Sequence, residues 1–443
     1  MAEAENSNWW KRFTSKISSE LRWLQPGVGY KRWIGLTIIG AIFLGLGLAV
    51  IILDYYRTTT NPDMIPILAF LSLRFLDRPI RLLVFGGVGL IMILIGIWGA
   101  NRSLLKPFER NGKPAWETLN HYRQREKGIK VVVIGGGHGL SALLRGLKEY
   151  THNITAIVTV ADNGGSSGAL RRDKGVLPPG DIRNCLAALS NDEALLAQVF
   201  QYRFKAGEEL AGHSLGNLFI SALSEITGSF EEAIVESGRV LAIFGQVLPS
   251  TLDNVELVGN VLLPDSHETV VVRGESELTA HPGKILKVWM DPEKTSAYPP
   301  TISAILNADL IIVGPGSLYT SLLPNLLVGG LADAIQASRA PTFYVCNVAT
   351  ERGETDGFSA SDHVHTIESH IGRDLFDLVL CNRNFKGKLG QSVDWVFADQ
   401  ALHDQYKVYE SDLVDDLYPW RHSSTKLAKA ILDLYEERTG PLA

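Results

Sequence analysis

The chain has 443 residues, too many for one ordinary domain, and a prior of roughly 150 residues per domain suggests two or three units. A formal charge of -6, a pI near 6.0 and the absence of any long run of like charges supply no basic field, so a nucleic-acid partner is not expected. The three cysteines, Cys185, Cys346 and Cys381, have no paired spacing, which argues against a disulfide framework or a zinc cage and reads as buried thiols.

The hydrophobic fraction of 46% is high for a soluble enzyme, and the excess is crowded into the amino-terminal quarter. After a segment 1–32, Trp33–Leu53 and Leu82–Ala100 are charge-free apolar runs close to the ~20 residues a helix needs to cross hydrocarbon, so a transmembrane hairpin is expected over 33–100. A signal peptide fits the first run poorly, because the run starts late, is too long for an h-region and lacks a small-x-small exit. Gly86, Gly87, Gly89, Gly96 and Gly99 leave a buried core helix as the alternative for the second, yet small residues let membrane helices pack closely. Six Lys/Arg precede the first run, four lie between the two, and eight fall within 101–130, which puts both ends of the hairpin on the cytoplasmic side. Ile65–Leu76 is read as a short interfacial helix, and 101–128 as a juxtamembrane connector.

From 129 to 443 the pattern is that of one nucleotide-binding domain. Val131–Ile134 is a β-branched run of the kind a doubly covered parallel strand needs, Leu140–Tyr150 has helical spacing, and Ile154–Val160 supplies a second strand, completing a right-handed βαβ unit. Leu310–Val313, Thr342–Cys346 and Leu378–Cys381 read as further buried strands. Ser423 or Ser424 is placed to cap a C-terminal amphipathic helix through Tyr435. The fold class is therefore α/β: a Rossmann-like open parallel sheet covered by helices, preceded by two transmembrane helices.

Chemistry is expected in the turns that follow the strands. Gly135, Gly136, Gly137, His138 and Gly139 join a strand to a helix, where backbone N–H groups and the helix N-terminus favour an anion; a purely structural turn is the alternative. Leu140 occupies the third glycine position of the dinucleotide fingerprint, which makes NAD unlikely as the ligand. Asp162 is followed by Asn163, Gly164, Gly165, Ser166, Ser167 and Gly168, a nest of small and hydroxylated residues beside an acid. Asp181 opens a helix carrying Arg183 and Asn184, either as N-cap or as a second acid; two carboxylates converging on a diphosphate would call for magnesium between them. His213 and Asn217, four apart, would share one side of a helix, and Gly314, Gly316 and Ser317 repeat the strand-turn-helix design. Gly353-Glu354-Thr355-Asp356 is a further polar loop. Hydrolase and kinase signatures are absent.

These motifs, taken in order over roughly residues 129–390, resemble the YvcK-type gluconeogenesis factors of the CofD-like (2-phospho-L-lactate transferase) superfamily. The resemblance implies a Rossmann-like fold and a regulatory protein that binds a UDP-sugar, notably UDP-N-acetylglucosamine, and links carbon metabolism to cell envelope synthesis and cell shape. It implies as the alternative a magnesium-dependent transferase that moves a phospholactyl group from a nucleotide-diphosphate-activated donor. Asp162 and Asp181 are the positions that would inherit the metal-binding acids. His138 stands where the family usually has threonine. The apolar runs and their flanking basic residues, which lie outside this resemblance, set the chain in a bacterial cytoplasmic membrane, multi-pass, with the C-terminal domain in the cytoplasm; the expected partners are a nucleotide sugar, the membrane through the hairpin, an unidentified protein of envelope synthesis and a second copy of the chain.

Overall fold

The computed structural model describes residues 31–57, 73, 75–105, 125–190, 195, 198–205, 210–264, 268–372, 374–391 and 393–440, and divides the chain into two units after Tyr122. In the first unit, helices α1 (Lys31–Arg57) and α2 (Arg78–Leu105) contain the windows Trp33–Val50 and Pro79–Ala100, each long and apolar enough to cross a membrane. A Cβ added at Gly40 would lie 2.9 Å from the Gly89 carbonyl oxygen, and one at Gly96 would lie 2.9 Å from that of Trp33. Gly89, Gly96 and Gly99 thus form the close seam between the helices, whereas Gly86 and Gly87 face open space. The expected interfacial helix lies mostly outside the described residues, as does most of the connector.

The second unit is built on a seven-stranded sheet in the order β10-β9-β8-β7-β1-β2-β3, with every pairing parallel. Its strands are β1 (Val131–Gly135), β2 (Ile154–Val158), β3 (Gln246–Pro249), β7 (Leu310–Val313), β8 (Thr342–Val345), β9 (Leu378–Asn382) and β10 (Val408–Ser411). Helices cover both faces, and that is why β1, β2, β7, β8 and β9 are buried at every residue and read as unbroken apolar runs. All three cysteines are buried free thiols.

A second sheet, which the sequence pattern did not announce, sets antiparallel strands β4 (Glu256–Leu262), β5 (Thr269–Arg273) and β6 (Lys284–Asp291) in the order β5-β4-β6. The helices that frame the site are α3 (Gly137–Leu147), α4 (Gly165–Lys174), α5 (Gly180–Leu189), α6 (Leu215–Thr227), α7 (Glu275–Ala280) and α8 (Ser424–Thr439). Helix α8 runs beyond the expected Tyr435, and Ser423 holds its N-cap position without a side-chain hydrogen bond. It packs on α3 at Gly146, where an added Cβ would sit 2.0 Å from the Ser424 carbonyl oxygen. Only glycine admits that approach, and the approach brings the segment before α8 to the carboxyl end of the sheet.

Candidate functional site

Strand order reverses between β1 and β7: β1 leads outward to β2 and β3, and β7 leads outward to β8, β9 and β10. At such a switch point the two departing turns diverge and leave a crevice beyond the strand ends. A cavity of about 840 Å³ occupies it, lined by Gly136 to Gly139 after β1 and by Pro315, Gly316 and Ser317 after β7. The two turns are pressed together. A Cβ at Gly139 would lie 2.9 Å from the Pro315 carbonyl oxygen, and one at Gly316 would lie 3.2 Å from that of Gly136. Gly137 starts α3 at φ 66° and Gly314 leaves β7 at φ 85°, the left-handed region that favours glycine.

Side chains behind the turns hold them in place. The Asn347 amide clamps Gly316, accepting from its N–H at 3.3 Å and donating to its carbonyl at 3.0 Å, while Asn325 donates to the Gly135 carbonyl at 2.9 Å. The Glu354 carboxyl accepts from Tyr319 N–H and Thr320 Oγ1 in the π-helical turn Leu318–Leu322. Ser317 holds the N-cap position of that turn without a cap bond and instead hydrogen-bonds Glu351.

The acids Asp181 and Glu275 line the cavity, and Asp162 does not. Asp181 lines the cavity from the first turn of α5, whose N-cap position belongs to Pro179, so the capping role expected of Asp181 is not the one it has. Its carboxylate accepts from the Gly137 amide instead, and burial, followed by the charge of Asp162, pushes it up to about 6. Glu275, at the start of α7, enters the cavity from the small sheet and is pushed up to about 9 by burial and by Asp162, Asp181 and Glu354. At neutral pH it is a protonated donor. Asp162 itself accepts from Gly164 N–H at 2.7 Å, with its other oxygen beside Gly180.

The remaining predicted residues gather beside the cavity without lining it. Asn163 ties the β2 turn to α7 through Glu277 and Ser276 N–H. The Asn217 amide donates to Ser166 Oγ at 3.1 Å and Ser167 Oγ at 3.4 Å, and His213 Nδ1 lies 3.1 Å from Ser166 Oγ. His213 precedes α6, with Ser214 as its N-cap, so the histidine and Asn217 meet across the cap rather than along one helix face. Arg183 is buried, donates to Ser214 and Asn184, and is brought down to about 10 by burial and by Arg203. Gly164 and Gly165 open α4, where Gly165 takes φ 47°.

Several cavity residues escaped the sequence reading: Arg145 on α3, Arg352 after β8, and Tyr418, Trp420, Arg421 and His422 before α8. Burial and then the charges of Arg421, Arg183, Arg145 and Arg203 hold the His138 imidazole below its ordinary value. The ring is therefore neutral, and the positive field around it comes from the arginines. Among the described residues, no group of three or more His, Cys, Asp or Glu side chains is set to hold a metal ion.

Residues 131–414 match the family model described as 2-phospho-L-lactate transferase CofD. The gluconeogenesis factor of Bacillus subtilis is 42% identical over 70% of this chain and 98% of its own length. A relative from Nostoc sp., also named as a gluconeogenesis factor, is 44% identical over 96% of this chain and 94% of its own. A crystal structure of a UPF0052-family protein from Bacillus halodurans superposes with a TM-score of 0.64 at 42% identity, covering 69% of this chain and 99% of that one. The chain thus belongs to the CofD family, among the relatives that carry the name gluconeogenesis factor.

Proposed function

We propose that the second unit binds a nucleotide sugar of the UDP-N-acetylglucosamine type and acts as a membrane-anchored regulator, linking carbon metabolism to envelope synthesis and cell shape. The observation that carries this reading is the apposition of two glycine turns at the sheet's switch point, over a cavity of about 840 Å³. That volume is within the range of small-ligand sites, and backbone amides at the start of α3, with Arg145 and Arg421 on the walls, suit a diphosphate. The residues also fit magnesium: Asp162 and Asp181 would be its protein ligands, with phosphate oxygens and water completing the oxygen-only shell this ion prefers. Its contribution when bound would be to offset charge between the acids and the diphosphate. The α1–α2 hairpin would anchor the chain in the cytoplasmic membrane with the second unit in the cytoplasm; a protein of envelope synthesis and a second copy of the chain are the partners this role calls for.

Calorimetric titration of the full chain in detergent with UDP-N-acetylglucosamine, GDP and NAD, with and without magnesium, tests the reading. UDP-N-acetylglucosamine should bind most tightly, gain affinity with magnesium and be recovered unchanged. Preference for NAD, or no nucleotide binding, would refute it. A transferase reading draws support from the family model and from the nearness of Asp162 to Asp181. It requires a magnesium-dependent product whose formation Asp162→Asn abolishes.

A further inference from the structure

The segment between β10 and α8 forms a wall of the cavity, and its lining residues from Asp415 onward lie beyond residues 131–414 of the family match. It is a tight hairpin. Asp415 N–H donates to the Arg421 carbonyl at 2.9 Å, and the Asp415 carboxylate accepts from Leu417 N–H at 2.9 Å and Tyr418 N–H at 3.0 Å. Lys426, on the first turns of α8, anchors the hairpin by ion pairs to Asp412 at 3.1 Å and Asp416 at 2.7 Å and by donating to the Val414 carbonyl at 3.0 Å.

Two features of this wall are turned to the cavity. Tyr418 and Trp420 face the cavity as an edge-to-face pair with centroids 5.5 Å apart, yet they remain 49% and 46% exposed. The Arg421 guanidinium lies 5.6 Å from the Tyr418 ring centroid, which engages that ring and leaves the indole as the open aromatic surface. Next to them His422 is 8% exposed and lines the same cavity, and neither of its ring nitrogens makes a well-formed hydrogen bond. The Cys346 backbone engages the imidazole at most on one side, and a buried polar nitrogen left without a partner is costly, so a ligand atom is its natural complement. Burial brings this histidine down to about 4, so the imidazole is neutral and offers one donor and one acceptor nitrogen.

Building on the proposed function, we propose that this hairpin is the nucleobase subsite: the base stacks on Trp420, with Tyr418 at its edge, and one nitrogen of His422 hydrogen-bonds a polar group on the base. The other walls complement different chemistry. The glycine turns, the arginines and the carboxyls Asp181 and Glu275 suit phosphate, cation and sugar hydroxyls, and the aliphatic side chains Val348, Ala349 and Val393 give no aromatic face for a planar heterocycle. The hairpin offers one, prearranged by its own hydrogen bonds, and base-aromatic stacking tolerates any base while the histidine adds selectivity.

The test uses the full chain in detergent with magnesium, titrated with UDP-N-acetylglucosamine, UDP, N-acetylglucosamine 1-phosphate, which lacks the base, and inorganic pyrophosphate. Trp420→Ala should weaken UDP-N-acetylglucosamine and UDP by about tenfold or more, the loss typical of a removed stacking platform, and leave the two base-free probes within about twofold. Trp420→Phe should keep most of the affinity. His422→Leu should cost the nucleotides affinity and the base-free probes none, with His422→Gln recovering part of it. Equal losses for base-bearing and base-free probes, or unchanged UDP affinity in Trp420→Ala, would overturn the inference while leaving nucleotide-sugar binding intact. Failure of the wild-type chain to bind either nucleotide would overturn both. Trp420 is half-exposed, so its variants remain informative even if a change at the buried His422 disturbs folding.

Discussion

Replacing Asp181 by asparagine should stabilise the unliganded protein, and by an amount that depends on pH. Burial and the nearby charge of Asp162 raise this carboxyl from an ordinary 3.8 to about 6. The folded state therefore holds a proton that the unfolded state releases, so the stability attached to this group is full below about 4 and is lost as pH rises to about 6. At about 1.4 kcal/mol per tenfold change in proton affinity, the full loss is about 3 kcal/mol, with roughly half of it already incurred at pH 5. Asparagine keeps an acceptor for the Gly137 amide and never ionises. Thermal unfolding of the full chain in detergent, free of divalent cations, should place Asp181→Asn above wild type at pH 7.5 by roughly 5 °C, and by about half as much at pH 5. Equal gains at both pH values, or no gain at pH 7.5, would show that the Asp181 charge is not strained in the way this geometry requires.

Glu354, pushed up to about 8 mainly by burial and then by Glu351, is protonated at neutral pH; Glu354→Gln should change stability by less than about 1 kcal/mol. Glu354→Ala leaves Tyr319 N–H and Thr320 Oγ1 unmet and should cost about 2 kcal/mol or more by urea unfolding. Gly139→Ala forces apart two backbone segments that already touch; titration should show at least a tenfold loss of nucleotide-sugar affinity in a chain that still folds. If the hairpin spans as proposed, a carboxy-terminal tag should resist protease added to intact cells and be cut after lysis; cleavage in intact cells would reverse the orientation.

The central sheet was legible because its inner strands are covered on both faces and must be apolar at every position, as Val131–Ile134 and Leu310–Val313 are. The small sheet was not, for a reason visible in β5, whose residues are all partly or fully exposed and whose apolar Val270 and Val272 reach the core only partly buried. Such strands carry no burial signal of their own. Helix starts were legible to within a residue or two, but which residue caps them was not. Asp181 falls inside α5, where its carboxylate accepts from Gly137 in the neighbouring turn rather than capping its own helix.

Among the site residues, legibility followed sequence distance. A motif such as Gly136–Gly139 announces itself because the turn needs small residues close together in the chain. The missing third glycine of the dinucleotide pattern has a physical explanation that only the fold supplies: Leu140 is wholly buried in the core, and the close backbone approach falls one residue earlier, where Gly139 meets Pro315. Contacts between distant segments leave weaker marks. Gly146 lies inside an ordinary-looking helix, yet its missing side chain is what lets the start of α8 approach, and with it the hairpin of Tyr418, Trp420, Arg421 and His422. Those four are far from any glycine motif and look like the unremarkable lead-in to a terminal helix. Their chemistry follows from an arrangement in which aromatic area stays exposed beside a buried histidine, on a cavity wall built from a different segment than the phosphate-type motifs.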